Sequence, residues 1–495
     1  MTSVWLDRDR PRYEDPLPED GRVDDLIVGG GLTGLVTALL LVSAGRQVLL
    51  VDAHRVGGGT TGRTTGKVSL LQGTMLSGLM ERRRRSEVER YVVTNRRAME
   101  WLEGFCAEHD VRFESRDAVT YAATEDEVDR VRDEYDAARA LGLPVKWSRS
   151  LDVPFPSRSG VTLPGQAQID PWPVVVAMTA TMRQRGARLV EGCRLTGLRT
   201  KGGRIVAEVA TDGKGRQEVS AVNVVLATGA PVLDRGLHFT RLEALRSYVL
   251  ACRHPAPPEA MYLSAGASSG ASTRSVRGWS DADGPILLIG GAGHPVGRTR
   301  DTPAHLAELR AWTAVHFPAA QETHAWSAQD YRSHTGLPLV GRLPLSGGAA
   351  FVATGYNKWG LTNGVAAARQ IADEILGQDS PGPSRATGPS VTEARPSVTS
   401  ALVWARVNAQ SGQAMIGGHL RNLVGRRSGD EGEEEHMQAR SVCGLLPVCT
   451  HLGGPLAWNE VEESWDCALH GSRFTADGSV IEGPATRRLR FGVIQ

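Results

Sequence analysis

A glycine turn set between a buried strand and a helix restricts this chain more than any other feature. Leu26-Ile27-Val28 is an unbroken apolar run, as a strand covered on both faces requires. Gly29-Gly30-Gly31-Leu32-Thr33-Gly34 follows it, and 35–44 reads as a helix. In this G-x-G-x-x-G setting Gly29 permits the tight turn, Gly31 lets a pyrophosphate approach the backbone, and Gly34 packs helix on strand. The helix start, at Leu32 and Thr33, supplies unpaired N–H groups and partial positive charge for phosphates. A second strand at 48–51 ends in Asp52-Ala53. The Asp52 carboxylate can accept from both ribose hydroxyls and would repel a 2′-phosphate, which favours FAD or NAD over NADP.

A second signal lies at the other end of the chain. Cys449-Thr450-His451 is followed after 15 residues by Cys467-Ala468-Leu469-His470. A Rieske centre needs two thiolates on one iron and two imidazoles on the other, and two loops that each give one Cys and one His meet that need. Zinc also takes two Cys and two His, but zinc fingers pair Cys with Cys and His with His. The alternation here favours the cluster. Cys106, Cys193 and Cys252 are scattered and read as small buried hydrophobes, and six cysteines in all make no disulfide framework. Cys443 is expected to pack rather than bind.

At 495 residues the chain needs more than one hydrophobic core. Its net charge of +1 gives no overall field for nucleic acid. The Arg82–Arg85 run lies in a stretch, 80–105, that reads as one amphipathic helix, so a solvated face is expected. No apolar stretch reaches the roughly 18 residues of a membrane span. The first twenty residues lack a signal-peptide core, and a cytoplasmic location is expected.

The pattern predicts a leader at 1–22, an oxidoreductase at 23–376, a linker and connecting helix at 377–425, and a small all-β domain at 426–495. Within the second, a Rossmann-like α/β part is expected at about 23–80, 185–235 and 335–376. An inserted antiparallel β-rich substrate domain is expected at about 81–184 and 236–334.

Four segments in order carry a family resemblance. They are the glycine turn at 29–34, the Gly- and Thr-rich loop 57–69 (GGGTTGRTTGKVS), Val224 to Pro231 (VVLATGAP), and Phe351 to Gly364 (FVATGYNKWGLTNG). Together they resemble the FAD-binding elements of the D-amino-acid oxidase and glycine oxidase superfamily over about 24–376. The resemblance implies that Arg63, Thr64, Thr65, Gly66 and Lys67 run beside the flavin and that Leu195 meets the adenine through its backbone. It further implies that Thr228 and Gly229 belong to the cofactor site and that Trp359, Gly360, Leu361 and Thr362 contact the pyrimidine end. The helix after Thr362 would then turn its positive end toward the reduced ring. Neither His nor Cys occurs in 57–69, so the FAD is expected to be non-covalent.

Residues 443–490 resemble the Rieske fold. Gly454 and Leu469 stand where respiratory and photosynthetic members carry an extra disulfide. Ser472 keeps a hydroxyl for a bridging sulfide, and Phe474 replaces the Tyr of high-potential members, which predicts a low-to-middle potential.

The combination predicts a dehydrogenase that oxidises a small amine or related substrate and passes electrons through the cluster to a one-electron acceptor protein or a quinone. Rival readings are an oxygen-using amino-acid oxidase, an NAD(P)H-dependent reductase with Ile289 to Gly297 as its second dinucleotide site, and a non-enzymatic redox protein. Amino-acid oxidases of the superfamily hold the substrate carboxylate with an Arg, where this chain has Asp330. Arg332, two residues on, is expected to point to the other face. A substrate without the carboxylate, or one anchored by Arg274 or Arg277, is expected. Tyr248, Tyr331, His334 and Asp330 are the candidate catalytic residues.

Overall fold

The run at 26–28 lies at the centre of a mostly parallel sheet. Strand Arg22–Val28 pairs in parallel with Val48–Val51 on one side and Gly215–Leu226 on the other. The sheet continues to Arg188–Val190 at one end and to Ala350–Thr354 and Leu339–Arg342 at the other. Helices Leu32–Ser43, Pro171–Gln184 and Gly360–Leu376 pack on one face through Leu35, Val36, Val175, Val365 and Ile371. The hairpin of Cys193–Lys201 and Arg204–Thr211 closes the other face. Both faces are covered, which is why Leu26, Ile27, Leu49 and Leu50 are fully buried and need no polar alternation. The computed structural model describes residues 1–233, 236–266, 273–299, 301–344, 346, 348–377, 398–424 and 448–489.

A nine-stranded sheet forms the substrate part, in the order Gln321–Ser333, Leu242–Arg253, Gly284–Pro295, Ser275–Asp281, Met261–Ser264, Phe113–Ala122, Ser159–Ile169, Lys67–Val68, with Lys146–Ser148 pairing on Ser159–Ile169. Its pairings are antiparallel except that Met261–Ser264 runs parallel to Phe113–Ala122. Residues 289–295 are part of the strand Gly284–Pro295 and open no helix, so they lack the turn that a second dinucleotide site needs. The third sheet holds four antiparallel strands, Leu456–Asn459, Ser464–Cys467, Arg473–Thr475 and Val480–Glu482. Among the described residues no helix is long and apolar enough to cross a membrane.

Two local expectations fail for visible reasons. The single helix over 80–105 is two helices, Met75–Met80 and Arg85–Glu108. Arg84 takes an extended conformation as N-cap, and the Glu87 carboxylate accepts its N–H at 3.1 Å, so the arginine run straddles a break. The leader at 1–22 is not loose. Trp5 is fully buried against Trp279 and Trp326, Tyr13 enters the main core, and the Glu191 carboxylate accepts the Tyr13 N–H. The connecting helix spans Val398–Val424, and the Asn408 side chain donates to the Thr240 carbonyl. The linker at 378–397, the charged loop at 426–436 and Cys443 lie outside the described residues.

Candidate flavin and cluster sites

The glycine turn has the tightness its role needs. Gly29 sits at φ 108°, where an L side chain is strained, and a Cβ on Gly34 would run into the Gly29 carbonyl. Helix Leu32–Ser43 has no acidic residue in its first turn, and its Leu32 N–H donates to Thr61 Oγ1 at 3.0 Å, so a side chain from the 57–69 loop holds part of its positive end. The Asp52 carboxylate accepts from the Gly30 N–H at 2.6 Å and the His54 N–H at 2.7 Å. These residues fit a dinucleotide: a Cβ-free cradle, a helix start without an acidic residue in its first turn, and an acid held at the strand end beside Ala53.

The loop expected beside the flavin is pinned by side chains that sequence reasoning missed. Four consecutive carbonyls, those of Gly62, Arg63, Thr64 and Thr65, accept from Ser3 Oγ, Trp326 Nε1, Trp5 Nε1 and Arg277 Nε. Arg277 also donates to Gln168 at 2.8 Å and lies over the rings of Trp5 and Trp279. Burial lowers its pKa to about 9. Gly66, at φ 78°, passes under it. Lys67 is buried, donates to the Tyr262 carbonyl at 2.6 Å, and has its pKa lowered by burial to about 7. The available signal was a tryptophan five residues into a polar leader.

Gly290 of the strand Gly284–Pro295 packs close to this loop. A Cβ on Gly290 would stand 3.6 Å from Thr65, and one on Gly293 2.9 Å from Ser247 Oγ and 3.7 Å from Lys358 Nζ. Ser247 Oγ is buried without a hydrogen-bond partner. Lys358 keeps an exposed side chain, and desolvation by the surrounding protein lowers its pKa. Asn357 and Lys358 are both left-handed, at φ 49° and 72°, a strained pair. Asp330 accepts the Lys358 N–H, and burial raises its carboxyl to about 6. Trp359, Gly360, Leu361 and Thr362 open helix Gly360–Leu376, and Thr362 Oγ accepts from Gln72.

The other expected residues distribute unevenly. Leu195 lies in the core under the hairpin of Cys193–Lys201 and Arg204–Thr211, and Thr228 and Gly229 follow the strand Gly215–Leu226, where Gly229 is exposed. Tyr248 is fully buried with His294 and packs on the sheet face away from the flavin loop. His334 lies beyond the end of its strand, where burial, opposed by its backbone bond to Arg241 and aided by the nearby Arg241 and Arg83 charges, lowers its pKa. Arg332 corrects a reading of the pleat: residues two apart share a face. An ion pair with Glu243, and not the alternation of the strand, takes Arg332 away from Asp330.

The residues expected to bind the cluster, Cys449, His451, Cys467 and His470, sit in two tight turns of the small sheet. Cys449 N–H donates to Gly454 and Cys467 N–H to Ser472, each at 2.8 Å. Both sulfurs are buried; Cys449 Sγ is hydrogen-bonded by Cys467 and Ser472, which lowers its pKa. The His451 and His470 rings lie 5.2 Å apart at 84°. His470 Nδ1 is buried with no hydrogen-bond partner. Among the described residues no three such side chains converge on one ion. A thiol pair and an imidazole pair, each complete and one with an orphaned nitrogen, fit a [2Fe-2S] cluster rather than a single metal. A Cβ on Gly454 would lie 2.8 Å from Leu469 and from Cys467 Sγ, so the two positions that lack a disulfide are neighbours and Leu469 fills the gap.

Residues 24–374 match the FAD dependent oxidoreductase family, and 436–491 match the Rieske [2Fe-2S] domain. The chain belongs to the FAD-dependent oxidoreductases of the D-amino-acid oxidase type and carries a C-terminal Rieske domain. Its cofactors are accordingly FAD and a [2Fe-2S] cluster. It is 30% identical to Bacillus subtilis YhfW, described there as a Rieske 2Fe-2S iron-sulfur protein, over 96% of this chain and 94% of that one. Over 46 residues, 9% of this chain and 27% of the relative, it is 52% identical to a cytochrome b6-f complex iron-sulfur subunit of Synechococcus. The fold is similar to that of glycine oxidase from Geobacillus kaustophilus, with a TM-score of 0.59 and 20% identity over 73% of this chain and 96% of that one.

Proposed function

We propose that this oxidoreductase is a dehydrogenase that oxidises a small amine and sends the electrons out through the cluster to a one-electron acceptor protein or a quinone. The observation that carries this reading is that the cluster loops dock on the flavin module. Gln329 Nε2 donates to the Gly471 carbonyl at 2.7 Å, and a Cβ on Gly297 would lie 2.7 Å from the Cys467 carbonyl carbon. Buried Arg246 pairs with Asp466, next to Cys467, at 3.3 Å.

Bound FAD supplies hydride acceptance from substrate, and the cluster supplies one-electron transfer. The chain's own groups bind and orient. Asp330, when ionised, attracts a substrate ammonium and can take its proton, leaving the neutral amine that gives up hydride. Arg277 is occupied by Thr65, Gln168 and Ile169, and Arg274 by Glu308, so neither is set to hold a carboxylate.

One observation favours a second reading, an amino-acid substrate: Lys358 Nζ and the unpartnered Ser247 Oγ could hold a carboxylate where Asp330 holds the amine. An anaerobic screen separates the readings. Flavin absorbance is followed with simple amines, D- and L-amino acids and NADH, and cluster reduction by EPR. Bleaching by amines with a cluster signal is expected. Bleaching by NADH alone overturns the proposal, and bleaching by amino acids alone selects the second reading.

A further inference from the structure

The histidine side of the small domain is half-buried and packs on the flavin module. The His470 ring stands 4.7 Å from Phe239 and the His451 ring 5.3 Å from it. His470 also lines a narrow cavity with Ala230, Pro231, Leu242 and Tyr331. Ala230 and Pro231 directly follow Thr228-Gly229, a segment of the expected FAD site. The inner wall of the cluster site is therefore built by the flavin module of the same chain.

Tyr331 is the residue common to both sides. Its ring lies 3.7 Å from where a Cβ on Gly229 would stand, and its carbonyl accepts the Asn357 N–H at 3.0 Å, two residues before Trp359. On the other side its hydroxyl accepts from Gln329 Nε2 at 2.8 Å, and the same amide donates to the Gly471 carbonyl, adjacent to His470. The side chain is 3% exposed, so no water layer separates the two sites along this line. Burial drives its phenol pKa far upward, which keeps the ring neutral.

We infer that Tyr331 is the positioning residue through which electrons pass from the flavin site to the His470 edge of the cluster. The inference rests on the reading that the flavin feeds the cluster. Each passage oxidises the reduced flavin by one electron and reduces the cluster by one. The second electron follows after the cluster has given its first to the acceptor. No bond forms to Tyr331, and its phenolic proton stays in place.

The test uses the full-length protein loaded with both cofactors. The flavin is reduced by a light flash with deazaflavin and EDTA, and the delayed reduction of the cluster is followed by absorbance. Wild type is compared with Tyr331→Phe, which keeps the ring, and Tyr331→Leu, which removes it. Tyr331→Met refills most of the volume with a flexible chain and replaces the Leu variant if that one does not fold. The expected result is transfer slowed at least about tenfold in the ring-less variant, within about threefold of wild type in Tyr331→Phe, with an unchanged EPR spectrum and flavin content. An unchanged rate without the ring overturns the assignment to Tyr331. Failure of the cluster to accept electrons in the wild type would instead overturn the underlying reading.

Discussion

The four cluster ligands come from two turns within 449–470, whereas the residues expected around the flavin run from Gly29 to Thr362. The cluster site is local in sequence and shallow in construction. Among the described residues seven buried ones form its apolar core, including Cys449, Cys467, Phe474 and Val480. Its remaining support is ionic: Arg473 reaches Asp466, Glu462 and Glu482, and Arg246 and Arg63 of the flavin module join the same carboxylates. The flavin site is the reverse, assembled from distant segments but set on large apolar cores. A small domain that cannot bury enough apolar surface alone leans on its neighbour. The larger one can use a strained loop because its scaffold holds it.

That contrast can be broken from either side. Arg246→Leu leaves Asp466 buried with one of its two cations gone, and removing one partner of a buried pair costs about 3–5 kcal/mol. The cluster module should lose that stability, read as earlier bleaching of cluster absorbance in urea, while flavin release moves little. Trp5→Ala should act on the other half. Deleting a fully buried indole costs about 3–5 kcal/mol, and with the Thr64 carbonyl released, FAD should be lost on dialysis while the cluster EPR signal is kept.

A smaller effect tests Asp330. The Asp330 carboxyl keeps its proton up to about pH 6, against about 3.9 for an exposed one. Its raised pKa favours the fold below the unfolded value, and that contribution is lost as pH rises through about 6. An ammonium substrate needs the ionised form, so KM should fall as pH rises through about 6, and this dependence should vanish in Asp330→Asn. The smallest effect is on the cluster itself. Phe474→Tyr adds a hydroxyl near the sulfurs, and the midpoint potential should rise in an electrochemical titration.

Legibility followed the same division. The Rieske domain could be read because a local motif, Cys449, His451, Cys467 and His470, states both residue type and spacing, and the glycine turn could be read because its strand and helix flank it. The loop 62–65 could be recognised, but not what holds it. Its partners Ser3, Trp5, Arg277 and Trp326 are joined only by the folded sheets, and nothing periodic marks them. The break at Arg84 was hidden because the amphipathic pattern runs on across it, and the Glu87 capping contact outweighs helix propensity there. Tyr331 could be picked out as a candidate, but not placed, because its strand passes between two modules.

The central claim is that flavin and cluster form one electron path. Anaerobic stopped-flow mixing of the holoprotein with an oxidisable amine, with rapid-freeze EPR of the cluster, tests it most directly. Flavin bleaching should be followed within the same turnover by the reduced-cluster signal, which should be absent in Cys467→Ser although its flavin still bleaches. A flavin that is reduced and reoxidised by oxygen at full rate while the cluster stays oxidised would contradict it.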